Sequence, residues 1–152
     1  MEYVQGHIGR IFVVTLTEGG EVYPCIEDLA RKERISSALV LCMGGIRRGK
    51  LVTGVKDPHG KLEPIYQEFD DARELFGVGT LFQDDEQPRL HLHVGVGRDD
   101  KTLVGCARGG VSVYLIQEVT VIEMRGINAL RMADPKTGLK LLRLLDKNKS
   151  RS

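Results

Sequence analysis

Arg89-Leu90-His91-Leu92-His93-Val94-Gly95-Val96-Gly97 alternates without a break. Leu90, Leu92, Val94 and Val96 fall on one side, and His91, His93, Gly95 and Gly97 on the other. A period of two is the mark of a β-strand, because successive side chains leave opposite faces of the pleat. The Leu/Val side belongs to a core. The His/Gly side has little bulk, so it borders a cavity or another backbone at close range. Residues 74–82 repeat the pattern: Leu75, Gly77, Gly79 and Leu81 alternate with Phe76, Val78, Thr80 and Phe82.

Strand signals continue on both sides of this pair. Residues 10–16 are rich in β-branched side chains and stop at Glu18-Gly19-Gly20. Pro24 opens a helical stripe of Cys25, Ile26, Leu29 and Ala30 that ends near Arg34. Residues 36–46 read as a buried strand closing at Gly44-Gly45, and residues 49–56 as another. Asp57-Pro58-His59-Gly60 is a turn, followed by a strand at 61–69. Residues 111–124 form a long β-branched strand. Strands at 127–132 and 139–145 flank a hairpin at Asp134–Gly138, with a helix at 138–145 as the alternative. One or two helices among seven or eight strands, without strand–helix alternation, define an α+β fold. Its sheet is mostly antiparallel and barrel-like, with the helices packed on it. The whole chain, 1–152, reads as a single domain with a core at about 7–145 and a basic tail at 146–152.

Composition narrows the function classes. The 152 residues are 41% hydrophobic, enough for one core. The 22 basic and 21 acidic residues leave a net charge of +1, so the chain lacks the basic footprint of a dedicated nucleic-acid binder. The one dense basic run is Lys147–Arg151. Any DNA binding is expected to be weak, without sequence preference and dependent on that run. The three cysteines are Cys25, Cys42 and Cys106. An odd count and the lack of a signal peptide point to a reducing compartment, the cytoplasm. Cys25 and Cys42 read as small buried hydrophobes. No apolar run reaches the roughly 20 residues of a membrane helix.

His91 and His93 share a strand face with Cα atoms about 6.6 Å apart, so their rings can hold one metal ion. Cys106 follows after Asp99-Asp100, a spacing that suits a hairpin and brings a thiolate alongside. Gly105 lets the backbone come close there. Two imidazoles and a thiolate leave one tetrahedral position open. The same residues also read as a buried free thiol beside two hydrogen-bonded histidines, and the residues alone leave both readings standing. Glu74 could hydrogen-bond an imidazole. Arg47, Arg48 and Arg108 follow glycine-containing turns and could bind an anion. His7 and His59 stand alone as surface histidines. There is no Ser-His-Asp order, P-loop or dinucleotide fingerprint.

The ordered set Gly44-Gly45-Ile46 with Leu51, Glu74–Leu81, Leu90-His91-Leu92-His93, Gly105-Cys106 and Glu118-Val119 resembles the PPC (plant and prokaryote conserved) domain family. The resemblance runs from about residue 7 to 145. It implies an antiparallel sheet with helices against it and a homotrimeric assembly. Plant relatives join the domain to AT-hook DNA-binding segments, and stand-alone prokaryotic members are labelled as candidate DNA-binding proteins. Metal-binding members look like three-histidine sites, so the resemblance places zinc on His91, His93 and Cys106, the cysteine standing in for the third histidine. The fold is also similar to that of acetolactate decarboxylase, a zinc enzyme. That likeness implies an alternative function as a small zinc-dependent lyase acting on a carboxylate, with Glu74, Arg47 or Arg108 as candidate catalytic or substrate-holding groups. Two departures stand out. No Arg-Gly-Arg-Pro AT-hook is present, and Val104-Gly105-Cys106 stands where many members read Gly-Gly-His.

Overall fold

Runs of Val, Ile and Leu alternating with small or polar residues extend through most of the chain, and they form strands. The computed structural model describes residues 1–60, 62–84 and 87–145. The elements are β1 (His7–Thr17), α1 (Val22–Glu33), β2 (Ser37–Val55), β3 (Pro64–Asp84) and β4 (Gln87–Arg98), then β5 (Lys101–Ala107), β6 (Ser112–Arg125), β7 (Ala129–Ala133) and β8 (Lys140–Leu144). They make one eight-stranded sheet in the order β1-β6-β2-β5-β4-β3-β7-β8. All pairings are antiparallel except β3 with β7, so the sheet is mixed.

β2 gives the sheet its barrel-like shape. One edge pairs with β3 from Ser37↔Phe82 to Val55↔Pro64. The other edge pairs first with β6, as far as Arg48↔Ser112, and then with β5 at Leu51↔Ala107 and Val52↔Cys106. Because β3 pairs with β4 and β4 with β5, strands β2 to β5 close into a ring. β6 and β1 extend from the first half of β2.

Two expected strand breaks are absent. Residues 36–46 and 49–56 are one bent strand, with register shifts at Ile46/Arg48 and Val52/Gly54. Gly44-Gly45 does not end it. A Cβ at Gly44 would lie 2.4 Å from the Ile116 carbonyl oxygen, and one at Gly45 2.3 Å from that of Tyr114. The glycine pair lets β6 press against β2. Residues 61–69 and 74–82 likewise belong to one strand, with Lys61 outside the described residues. β2 pairs across the polar interruption, at Ile46↔Arg73 and Arg48↔Asp70. Arg73 covers the Phe69 ring, its guanidinium carbon lying 4.7 Å from the centroid. Residues 140–144 are a strand and not the alternative helix, registered from Ala129↔Leu144 to Ala133↔Lys140.

The core gathers Ile26, Ile35, Ile46, Leu51, Leu81 and Leu92, all fully buried. α1 contributes Val22, Ile26 and Ala30, and closes at Arg34 in the left-handed conformation. Cys42 is buried as expected, whereas Cys25 is only half-buried, because it lies at the margin of the helix stripe. The inner face of the alternating strands is the Leu/Val face, as the pattern requires. The outer face is unusual. Val13, Leu41, Met43, Phe76, Val78 and Val104 are all exposed there. Register pairs tie Cys106, His93, Val78, Leu41, Thr120 and Val13 into one lateral row across six strands.

Gly105 sits where β5 meets β2, and a Cβ there would lie 2.5 Å from the Val52 carbonyl oxygen. Gly105→Ala should therefore cost about 1–3 kcal/mol in urea unfolding, because backbone must move. Gly109→Ala, with nothing within 4 Å, should stay within about 0.5 kcal/mol of wild type. Equal effects would show that the β5–β2 contact is slack.

Glu123 is buried and accepts from the Arg10 backbone N–H (3.0 Å) and the Arg10 Nε (2.9 Å). These bonds hold its pKa at about 2, below the ordinary 4.5. A depressed carboxylate pKa stabilises the fold above its unfolded value, and this is lost as pH falls through the folded one. The melting-temperature gap between wild type and Glu123→Gln should be full above pH 4.5 and close toward pH 2. A gap independent of pH would contradict this.

Candidate metal centre

β4 and β5 form a hairpin whose turn residue Asp99 takes φ 51°. Their ladder runs from Arg98↔Lys101 back to His93↔Cys106 and stops there. The next pair would join Leu92 to Ala107. Instead the Tyr23 hydroxyl, from α1, donates to the Ala107 carbonyl oxygen at 2.7 Å. β5 then leaves β4 for β2, with the Arg108 N–H donating to the Lys50 carbonyl oxygen at 2.8 Å. The strands thus splay at the point where three metal-ligating side chains meet.

Those side chains are His91, His93 and Cys106, and their donor atoms all lie within 4.8 Å of one another. The two rings stand edge to face, with centroids 5.0 Å apart. Cys106 is buried, His91 half-buried and His93 exposed. Burial, helped by the charges of Arg131, His93 and Arg108, pushes the His91 pKa down to about 4. Its lone pair is therefore free at neutral pH. Burial raises the Cys106 thiol pKa, while Arg108 and Arg131 pull it the other way. Tetrahedral zinc, with bonds of about 2.0–2.3 Å, holds its donors about 3.3–3.8 Å apart. Small rotations of the rings and thiol close the difference, so this nitrogen and sulfur set fits zinc.

The other candidates disperse. Glu74 pairs with Gly97, whereas Thr80 pairs with His91. The six residue steps from Glu74 to Thr80 amount to about 20 Å of strand, so Glu74 does not reach the imidazoles. Glu74 lines a separate cavity of about 200 Å³ with Arg73, Arg98 and Tyr114. The Arg47 Nε donates to Glu18 at 2.9 Å, and its guanidinium covers the Tyr114 ring. Arg48 lines a cavity of about 480 Å³ beside Lys50, Glu68 and Asp70. Of the three arginines, Arg108 alone bears on the cluster. His7 and His59 are exposed and outside it.

Two residues of the centre carry no local sequence signal. Tyr23 precedes the helix stripe and looks like an ordinary amphipathic position. Arg131 arrives through β7, which joins β3 in parallel at Gln83↔Leu130 and Asp84↔Arg131 among the described residues. Its Nη2 donates to the Thr80 Oγ1 at 3.0 Å, next to His91.

The Plants and Prokaryotes Conserved (PCC) domain model matches residues 3–125. No curated protein matches the chain. A metal-containing protein from Archaeoglobus fulgidus has the same fold, with a TM-score of 0.82 and 25% identity over 96% of this chain and 100% of that one. A plant- and prokaryote-conserved (PPC) protein from Pyrococcus horikoshii aligns with a TM-score of 0.81 and 22% identity, over 96% of this chain and 99% of its own. A protein named "Putative DNA-binding protein" from Ralstonia eutropha JMP134 aligns with a TM-score of 0.73 and 20% identity, over 87% and 90%.

Tyr23→Phe removes the hydroxyl that replaces the missing ladder pair. It should leave the fold intact and weaken zinc binding about 10–100-fold in a chelator competition, as loss of a supporting hydrogen bond does. Unchanged affinity would show that the splay is set by β2 alone.

Proposed function

We propose, since the chain belongs to the Plants and Prokaryotes Conserved domain family, that it is a zinc-binding subunit of a homotrimer. His91, His93 and Cys106 hold the ion. The observation that carries this reading is the convergence of three donor atoms within 4.8 Å, from two strands joined by one hairpin. Support comes from the Archaeoglobus protein, which is metal-containing and 25% identical. Mixed nitrogen and sulfur donors favour zinc over harder ions. Zinc held by three protein groups supplies a Lewis acid with a position for a water or substrate oxygen. The residues have separate duties. His91 offers a neutral nitrogen, Cys106 gives up its proton on binding, and Thr80 and Arg131 border the pair from β3 and β7.

The outer face supports the assembly. A row of exposed Val13, Leu41 and Val78 runs into His93, and Phe76 and Met43 lie beside it. A contiguous apolar face of this kind marks an interaction surface. The closed threefold arrangement follows the family resemblance and covers that face with a second copy.

DNA association is the competing reading. It has the description of the Ralstonia protein behind it, but at 20% identity that likeness speaks to fold. Against it, Arg10, Arg47, Lys50, Arg73, Arg89 and Arg125 are each bound to an acidic side chain. Phosphate contacts need cations free to make them. The Lys147–Arg151 run lies outside the described residues. No helix among the described residues is long and apolar enough to cross a membrane.

Protein purified without chelator should carry about one zinc per chain by mass spectrometry. It should sediment at three times the 16.9 kDa chain mass. His91→Ala combined with His93→Ala should lose the metal. Protein that stays metal-free after zinc is supplied would overturn the first part, and a concentration-independent monomer the second.

A further inference from the structure

We infer that Arg131 and Arg108 make the open side of this centre a binding site for a small oxyanion, a carboxylate or phosphate. The inference rests on the proposed metal reading but has its own observations. The first is an orphan. Arg131 Nη2 is bonded to Thr80 Oγ1 at 3.0 Å, and its guanidinium lies 6.0 Å from the Phe82 ring centroid. Yet its Nε is buried and has no hydrogen-bond partner. A buried N–H left unmade costs about 1–3 kcal/mol, and more on a charged group. Two anchored sides and one unused donor describe a side chain held ready for an acceptor.

The second observation is charge balance. Arg131 and Arg108 both bear on His91 and on Cys106. The acid that acts most on Arg131 is Asp84, which is shared with Lys140 at 2.5 Å and with Arg89 at 3.9 Å. No described carboxylate joins the donor cluster. One carboxylate thus serves three cations, and the guanidinium charge at the centre is only partly balanced. Zinc with a single thiolate ligand would add to the surplus. A planar guanidinium with an unused N–H donor matches an oxyanion in charge and in donor direction, where a lysine would offer only a point charge.

The third observation is placement. Thr80, which holds Arg131, is the register partner of His91. An anion on the Arg131 Nε would thus lie beside the imidazole pair and not on a remote surface.

The test is a nuclear magnetic resonance titration of the zinc-loaded trimer, following the Arg131 Nε–H resonance. The probes are acetate and inorganic phosphate at constant ionic strength, with chloride as the control. The expected result is a saturable shift with at least one oxyanion and none with chloride. The arm that binds more tightly identifies the class. Arg131→Gln should raise the dissociation constant at least tenfold, with metal content unchanged. Arg131→Lys, which keeps the charge and the packing, should fall between. No saturable shift with either anion, or an Arg131→Lys constant equal to wild type, overturns the inference. Metal analysis of the same samples separates the two readings. A zinc-loaded protein blind to anions keeps the metal reading and loses this one. A metal-free protein that still binds anions through Arg131 does the reverse.

Discussion

The candidate centre depends on where one ladder of hydrogen bonds stops. β4 and β5 stay paired until His93 faces Cys106, and then they separate. Had they continued, Leu92 and Ala107 would have closed the strands together and the flanking side chains would have stood on a flat sheet. The Tyr23 hydroxyl takes over the Ala107 carbonyl left behind. Buried backbone groups must find partners, so the splay is possible only because α1 brings a hydroxyl to that point. On the other edge, Gly105 presses against the Val52 carbonyl and draws β5 toward β2. A wedge on one side and a close contact on the other hold Cys106 in register with His93.

Closure of the ring through β2 has a second consequence. It places the Leu and Val face inside and leaves the other face, with its exposed apolar side chains, outside. The lateral row that begins at Cys106 and His93 continues through Val78, Leu41 and Thr120 to Val13. The donors and the apolar surface are thus parts of one continuous outer face. A partner seated there would also change the solvent exposure of His93, the most open of the three donors. On the proposed reading, assembly would therefore act on metal affinity.

Much of this was legible in the chain itself. Period-two alternation is a local property, so the inner and outer faces of residues 74–82 and 89–97 could be read directly, as could the pairing of two histidines with Cys106 across a turn. What could not be read depends on distant partners. Gly44-Gly45 looks like an end and is a close approach to β6. The polar run at 70–73 looks like a gap and is bridged by β2. Glu74 precedes the glycine-rich strand in sequence, but a strand is straight, so proximity in sequence to Thr80 becomes separation in space. Tyr23 and Arg131 reach the centre from α1 and from a parallel strand joined by two residue pairs, and no spacing encodes either contact.

The central claim is that two imidazoles and one thiolate of a single chain bind the same ion. X-ray absorption at the zinc edge of the loaded protein tests it most directly. The predicted spectrum has one sulfur at about 2.3 Å and two imidazole nitrogens at about 2.0–2.1 Å, with the sulfur shell lost in Cys106→Ser. A shell of nitrogen and oxygen alone in the wild-type protein, or a sulfur shell that survives Cys106→Ser, would contradict it.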